Sequence, residues 1–154
     1  KGRCEEFSKI GLTGTQPDLF NIETFNRSKL NWETRTRGHY KLMLKFYKHL
    51  LKLRTVSPAF SILDKSKLDV SILDNTHVIA MRRWHNAHSV LVMFNFNNED
   101  VTLQLYAPIG QWLKVLDSAD EFFGGPGTLM HSSYVTGDLI TLRSNSVSVL
   151  TKMV

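Results

Sequence analysis

The sequence predicts a mainly β chain: an antiparallel β-sandwich preceded by one long amphipathic α-helix and an irregular arm. Three observations carry this. From residue 59 onward apolar residues alternate, or run in short stretches, between turn-forming pairs. Residues 39–56 step by three and four instead. Residues 1–37 follow neither period.

The apolar side chains of the arm, among them Phe7, Ile10, Phe20, Phe25, Leu30 and Trp32, are numerous but irregularly spaced. The segment is too aromatic for a disordered tail. It is too long for an internal loop, whose median is about 4–6 residues. It reads as a long ordered loop that packs on something. In the helix a stripe runs through Tyr40, Met43, Tyr47, Leu50, Leu51 and Arg54, widened by Leu44, Phe46 and Leu53. Lys41, Lys45, Lys48 and Lys52 take the same steps on the opposite face, as a solvated face does. Gly38 precedes the helix and Pro58 makes a sharp stop after it. Arg54 near its C-terminus suits the dipole.

Seven strands follow, over 68–74, 76–84, 89–96, 101–107, 111–117, 138–142 and 146–152. Turn chemistry separates them, as at Asp74-Asn75, His85-Asn86, Asn97-Asn98, Gly137-Asp138 and Ser144-Asn145. No helical stretch lies between them, so a parallel sheet with crossover helices does not fit.

Composition bounds the function. With 42% apolar and 21% charged residues in 154, the chain is ordinary globular protein rather than disordered. No apolar run reaches the ~18 residues of a spanning helix, and residues 1–10 are too polar for a signal peptide. Cys4 has no second cysteine to pair with. A cytoplasmic protein with no membrane partner is the simplest expectation.

The net charge of +5 is unevenly spread: residues 1–58 hold 12 Lys and Arg against 5 Asp and Glu, residues 59–154 hold 7 against 9. The basic excess therefore belongs to one end, and no nucleic-acid partner is expected. The arm does interleave Arg27, Lys29, Arg35 and Arg37 with Phe25 and Trp32. Such a mixture suits single strands or a sugar face, and composition does not choose between them. A basic helix and a long arm ahead of a self-sufficient sandwich predict the C-terminal piece of something larger. The alternative is an intact small protein whose initiator Met was removed.

Chemistry-bearing residues are sparse. His85 and His88 sit three apart without a Cys or carboxylate at zinc spacing, and His39, His49, His77 and His131 are scattered, so no metal site is expected. Cys4 adjoins Arg3 but also Glu5 and Glu6, which does not favour a thiolate. Gly124-Gly125-Pro126-Gly127 lacks the Lys-Ser/Thr of a phosphate cradle. It reads as a sharp reversal anchored by Phe122 and Phe123. The acid pairs Glu5/Glu6, Glu99/Asp100 and Asp117/Asp120 lie on loops or turns, not at the ends of parallel strands where a barrel enzyme places its carboxylates. No catalytic residue and no cofactor is assigned.

Read as motifs, the arm becomes more specific. Gly2-Arg3-Cys4-Glu5-Glu6-Phe7 resembles a Gly-Arg-Arg-x-Glu-Phe element, with Cys4 in place of the second basic residue. Pro17-Asp18, Glu23-Thr24-Phe25, Ser28-Lys29-Leu30-Asn31-Trp32, Phe46-Tyr47, Leu50-Leu51-x-Leu53-Arg54 and Pro58-Ala59 follow, then Trp112, Leu116-Asp117-Ser118 and Phe123-Gly124-Gly125. In this order they resemble the C-terminal part of maltooligosyltrehalose trehalohydrolases, of the α-amylase-type glycoside hydrolases, over nearly the whole chain.

The resemblance implies a (β/α)8 barrel followed by an all-β domain. Residues 1–58 would be the end of the barrel, the loop after its last strand plus its last helix. Residues 59–154 would be the C-terminal antiparallel β-sandwich of α-amylase type. The family's three catalytic carboxylates lie on earlier barrel strands, so this chain alone is expected to be inactive. The parent would hydrolyse the α-1,4 bond beside the terminal trehalose of maltooligosyltrehalose, in trehalose biosynthesis. A maltooligosaccharide-type substrate would be reached through the barrel, against which this chain would pack. In the arm, Arg3, Glu5, Phe7 and Trp32 are the candidates for the substrate neighbourhood, with packing the preferred reading of Phe7 and Trp32. A second reading is a non-catalytic carbohydrate-binding or adaptor module with an exposed aromatic row including Trp84 and Trp112. A third is a basic nucleic-acid binder using the arm and the lysine stripe.

Overall fold

The computed structural model describes residues 20–73 and 76–153. The chain forms two compact units, Lys1–Thr34 and Arg35–Val154.

The described part of the arm is more regular than its apolar pattern. It carries a short helix, α1 (Ile22–Ser28), and a 3-10 turn (Trp32–Thr36). Local polar bonds make both. Asn21 caps α1 by accepting the Glu23 N–H at 2.8 Å, and Asn31 accepts the Glu33 N–H at 3.0 Å. Arg27 and Glu23 pair one turn apart at 2.9 Å, an exposed contact of small weight. A search for apolar period cannot see elements held by caps.

The long helix α2 spans Gly38–Val56, one residue longer than the pattern predicts. Pro58 does end it, and it also opens a second helix, α3 (Pro58–Ser61), at a position where its missing N–H is harmless.

Eight strands follow: β1 (Leu68–Leu73), β2 (Val78–His85), β3 (His88–Asn95), β4 (Val101–Gln104), β5 (Gln111–Asp117), β6 (Ser133–Val135), β7 (Leu139–Leu142) and β8 (Ser146–Lys152). The seven expected strands are all present. The eighth, β6, is three residues long, too short for any period to register. Six strands form one antiparallel sheet in the order β1-β2-β3-β8-β5-β6, while β4 and β7 pair separately. The last strand thus sits centrally, between β3 and β5. Asn86 turns the β2–β3 hairpin and Asn145 the β7–β8 connection between the two sheets, with φ of +52° and +47°, a conformation Asn tolerates.

The large sheet is covered on both faces. Leu91, Met93 and Leu150 pack with Leu103, Ile140 and Leu142 of the small sheet, around Trp112 and Tyr134. The alternate residues Val92, Leu116 and Val149 pack with Phe46, Leu50 and Leu53 of α2. Double coverage is why β3 is buried continuously from Ser89 to Met93 instead of alternating.

Candidate functional site

Helix α2 is apolar around most of its circumference. At 3.6 residues per turn, Leu42, Phe46, His49, Leu50 and Leu53 form one face. Tyr40, Met43, Leu44, Tyr47 and Leu51 form a neighbouring face, and Lys41, Lys48 and Lys52 a third. The first face meets the sheet. The second is open: Tyr40 is 62% exposed, Tyr47 58% and Leu51 59%. The stripe expected to be the main apolar one is therefore mostly uncovered here: of it Leu50 packs on the sheet, together with the widening residues Phe46 and Leu53, while Leu44 stays on the open face. Lys45 also departs from expectation. Its ammonium lies 3.0 Å from the centroid of the Phe122 ring.

The glycine-rich loop explains this choice of face. Buried Asp117 at the end of β5 accepts the Ala119 N–H at 3.0 Å with one oxygen and the Thr128 hydroxyl with the other. Lys114 Nζ donates to Thr128 Oγ1 at 3.2 Å. The loop folds so tightly that a Cβ on Gly125 would stand 2.2 Å from the Ala119 carbonyl oxygen. Gly124, at φ +85°, passes over Leu42, whose Cδ1 would be 2.6 Å from an added Cβ. These turns set Phe123 edge-on to Phe46 at 5.2 Å and to His49 at 5.4 Å. The segments Leu116-Asp117-Ser118 and Phe123-Gly124-Gly125 thus work together as a clamp on α2.

Of the expected substrate-neighbourhood residues, Arg3, Glu5 and Phe7 lie outside the described residues. Trp32 opens the 3-10 turn and is 67% exposed. Trp112 cannot belong to an exposed aromatic row. It is fully buried, and its indole N–H donates to the Pro108 carbonyl at 3.2 Å. Trp84 is half-buried with the Arg82 guanidinium 4.3 Å over its ring.

The other polar groups hold local structure. Asp100 pairs with Arg143 at 3.1 Å and accepts the Ser144 N–H at 2.9 Å. Asp120 caps a 3-10 turn through the Phe122 N–H at 2.8 Å. Asp64 accepts the hydroxyl and the N–H of Ser66, which hold its carboxyl below the ordinary range. Burial pushes the Tyr134 phenol above its ordinary range, although its oxygen accepts the His131 N–H at 2.7 Å. Among the described residues no three His, Cys, Asp or Glu side chains are placed to hold a metal. No described helix is long and apolar enough to cross a membrane.

The arrangement is a clamped helix with one apolar face on the sheet and a second turned outward. Residues 72–152 match the C-terminal all-β domain of alpha amylase. The malto-oligosyltrehalose trehalohydrolase of Brevibacterium helvolum is 31% identical over 126 residues, 81% of this chain and 20% of that protein. Its counterpart from Rhizobium sp. (strain M-11) is 31% identical over 104 residues, 67% of this chain and 17% of that one. The chain spans about a fifth of the length of these curated relatives. A solved structure assigned as an alpha amylase from Salmonella typhimurium covers 99% of this chain with 23% of its own, at 25% identity and a TM-score of 0.65. The trehalulose synthase MutB of Pseudomonas mesoacidophila MX-45 shares the fold over 71% of this chain and 17% of its own, at 19% identity and a TM-score of 0.50. By sequence and by fold, the chain belongs to the alpha-amylase C-terminal all-β domain family.

Proposed function

We propose that this chain is the C-terminal part of an α-amylase-type glycoside hydrolase that releases trehalose from maltooligosyltrehalose. In this reading residues 1–58 complete a barrel and residues 59–154 brace it, while the catalytic carboxylates stand elsewhere in the parent. The observation that carries it is the outward apolar face of α2, with Tyr40, Tyr47 and Leu51 each more than half exposed. A helix that is apolar on two faces is built for burial on both. The described apolar residues of the arm are equally open, with Phe20 98% and Leu30 75% exposed. A barrel wall would cover such surfaces. The names of the two curated relatives supply the substrate. The parent is placed in the cytoplasm, with the maltooligosyl substrate bound in the barrel beside the arm residues Arg3, Glu5, Phe7 and Trp32.

Two assays test this. The 154-residue chain alone should show no turnover of maltooligosyltrehalose, and real turnover would overturn the non-catalytic role. A chimera in which this chain replaces the matching fifth of the Brevibacterium helvolum enzyme should release trehalose. A folded chimera without activity would count against the parent assignment.

A further inference from the structure

The large sheet ends on unequal edges. At one end β6 is three residues long, and a short edge offers little to pair with. At the other, β1 runs for six residues, and among the described residues no strand pairs with its outer side. Its ladder with β2 is regular throughout, from Leu68 opposite Arg83 to Leu73 opposite Val78, without a bulge. Proteins usually blunt such an edge with proline, lysine, a bulge or an inward-pointing charge. β1 has none of the first three, since Lys65 and Lys67 stop on the 3-10 turn before it. Its one charge, Asp69, stands opposite Arg82 of its own chain. Leu68, Val70 and Ile72 share one face of the strand, and Val70 and Ile72 are each more than half exposed. A free row of backbone donors and acceptors beside an apolar row is a template for another strand.

The residues of β1 specify which strand. We propose that β1 pairs antiparallel with β1 of a second copy of this chain, about a two-fold axis at Val70. Directly opposed side chains in an antiparallel pair share a face. An axis between two residues would set the apolar row against Asp69 and Ser71. An axis at Asp69 would oppose two carboxylates, which is unfavourable. An axis at Ser71 would leave Leu68 beyond the end of the partner strand. At Val70 the strand matches itself: Leu68 lies opposite Ile72, Asp69 opposite Ser71, and Val70 opposite its own copy. The contact is isologous, so it closes at two chains and joins two six-stranded sheets into one. Pairing β1 with β6 instead would be head-to-tail and would match six residues to three. None of this uses the outward face of α2, so this inference and the proposed function can fail separately.

Sedimentation equilibrium of the 154-residue chain over a dilution series tests the pairing. A reversible dimer of twice 17.7 kDa is expected. Val70→Lys would oppose two ammonium groups, and Ile72→Lys would set a charge against Leu68, so each should weaken association at least about tenfold. Leu51→Lys, on the outward face of α2, should leave it unchanged. Oxidation of the double variant Cys4→Ser, Val70→Cys reads the register and does not depend on the lysine variants folding. Its opposed Cα atoms, about 5 Å apart, would lie within disulfide reach, so a covalent dimer should form. Leu68→Cys in the same background should not cross-link, because the two copies of that residue would stand four positions apart, about 13 Å. A chain that is monomeric throughout, association that both β1 lysine variants leave intact or that Leu51→Lys abolishes, or equal cross-linking at positions 68 and 70 would each overturn the pairing.

Discussion

His49 Nε2 stands 3.1 Å from the carbonyl oxygen of Val115, a residue 66 positions further along the chain. The β5–β8 pairing shifts register between Lys114 and Leu116, so Val115 sits at an irregularity of the ladder. A carbonyl only accepts, so Nε2 carries the proton and Nδ1 does not in the neutral ring. The bond ties the middle of α2 to the place where the sheet departs from regular pairing, beside the ring contact with Phe123.

Replacing His49 with Leu keeps much of the apolar contact and removes this donor. The unfolding free energy should fall by about 1–2 kcal/mol, because a shielded carbonyl loses its partner. His49→Gln should lose less. Urea unfolding reads the difference as a lower midpoint with an unchanged slope.

Asp117 offers a larger effect. Its carboxylate is buried and bonds the Ala119 N–H and the Thr128 hydroxyl, so Asp117→Ala strands both donors. A loss of about 2–3 kcal/mol is expected, with faster hydrogen exchange at Ala119 and in the glycine loop. Unchanged exchange there would show that the loop holds itself without the carboxylate.

Gly125→Ala tests the same loop sterically. The new Cβ would sit 2.2 Å from a backbone oxygen, which cannot swing aside like a side chain. The backbone must shift, at about 1–3 kcal/mol. The Phe123 contacts with α2 should loosen with it, visible as shifted ring resonances of Phe46 and His49.

Tyr134 sets an alkaline limit. Burial raises its folded pKa above the unfolded value, near 10.0, so the neutral phenol favours the folded state. That contribution is complete below the unfolded pKa and is lost as pH rises through the folded one. Stability should decline above about pH 10 with a component that Tyr134→Phe removes. If the wild type and Tyr134→Phe decline in parallel from pH 9 to 11, the phenol is not responsible.

On the outward face of α2, Tyr47→Lys and Leu51→Lys change side chains that touch little in this chain. Each should alter the stability of the isolated chain by no more than about 0.5 kcal/mol. In the trehalohydrolase chimera the same substitutions should abolish or sharply reduce trehalose release. Full activity in both charged variants would remove the barrel contact from the proposed function.

Seven of the eight strands and the long helix were legible because their periods are local. Val78 to His85 reads as a strand whatever lies beside it, and Lys41, Lys48 and Lys52 mark a polar face on any α-helix. β6 was not legible, since three residues from Ser133 to Val135 hold no period. α1 escaped for another reason: the Asn21 cap and the Glu23–Arg27 pair make it, not an apolar stripe. In the candidate site, the motif residues from Leu116 to Gly125 could be marked in the sequence, but their joint grip on α2 could not. That grip depends on a carboxylate at Asp117 reaching Thr128 and on the Phe123 ring reaching Phe46 across the fold.

By itself the sequence determined the class of fold, the order of its elements and the family they resemble, because side-chain period and turn chemistry act over a few residues. Only the tertiary structure decided which face of α2 meets the sheet, that Trp112 is core rather than platform, and that Arg83 reaches the Ile62 carbonyl. Burial is a relation between segments far apart in the chain. Two overlapping apolar stripes on one helix are equivalent until a particular sheet, with a particular loop and aromatic ring, closes over one of them.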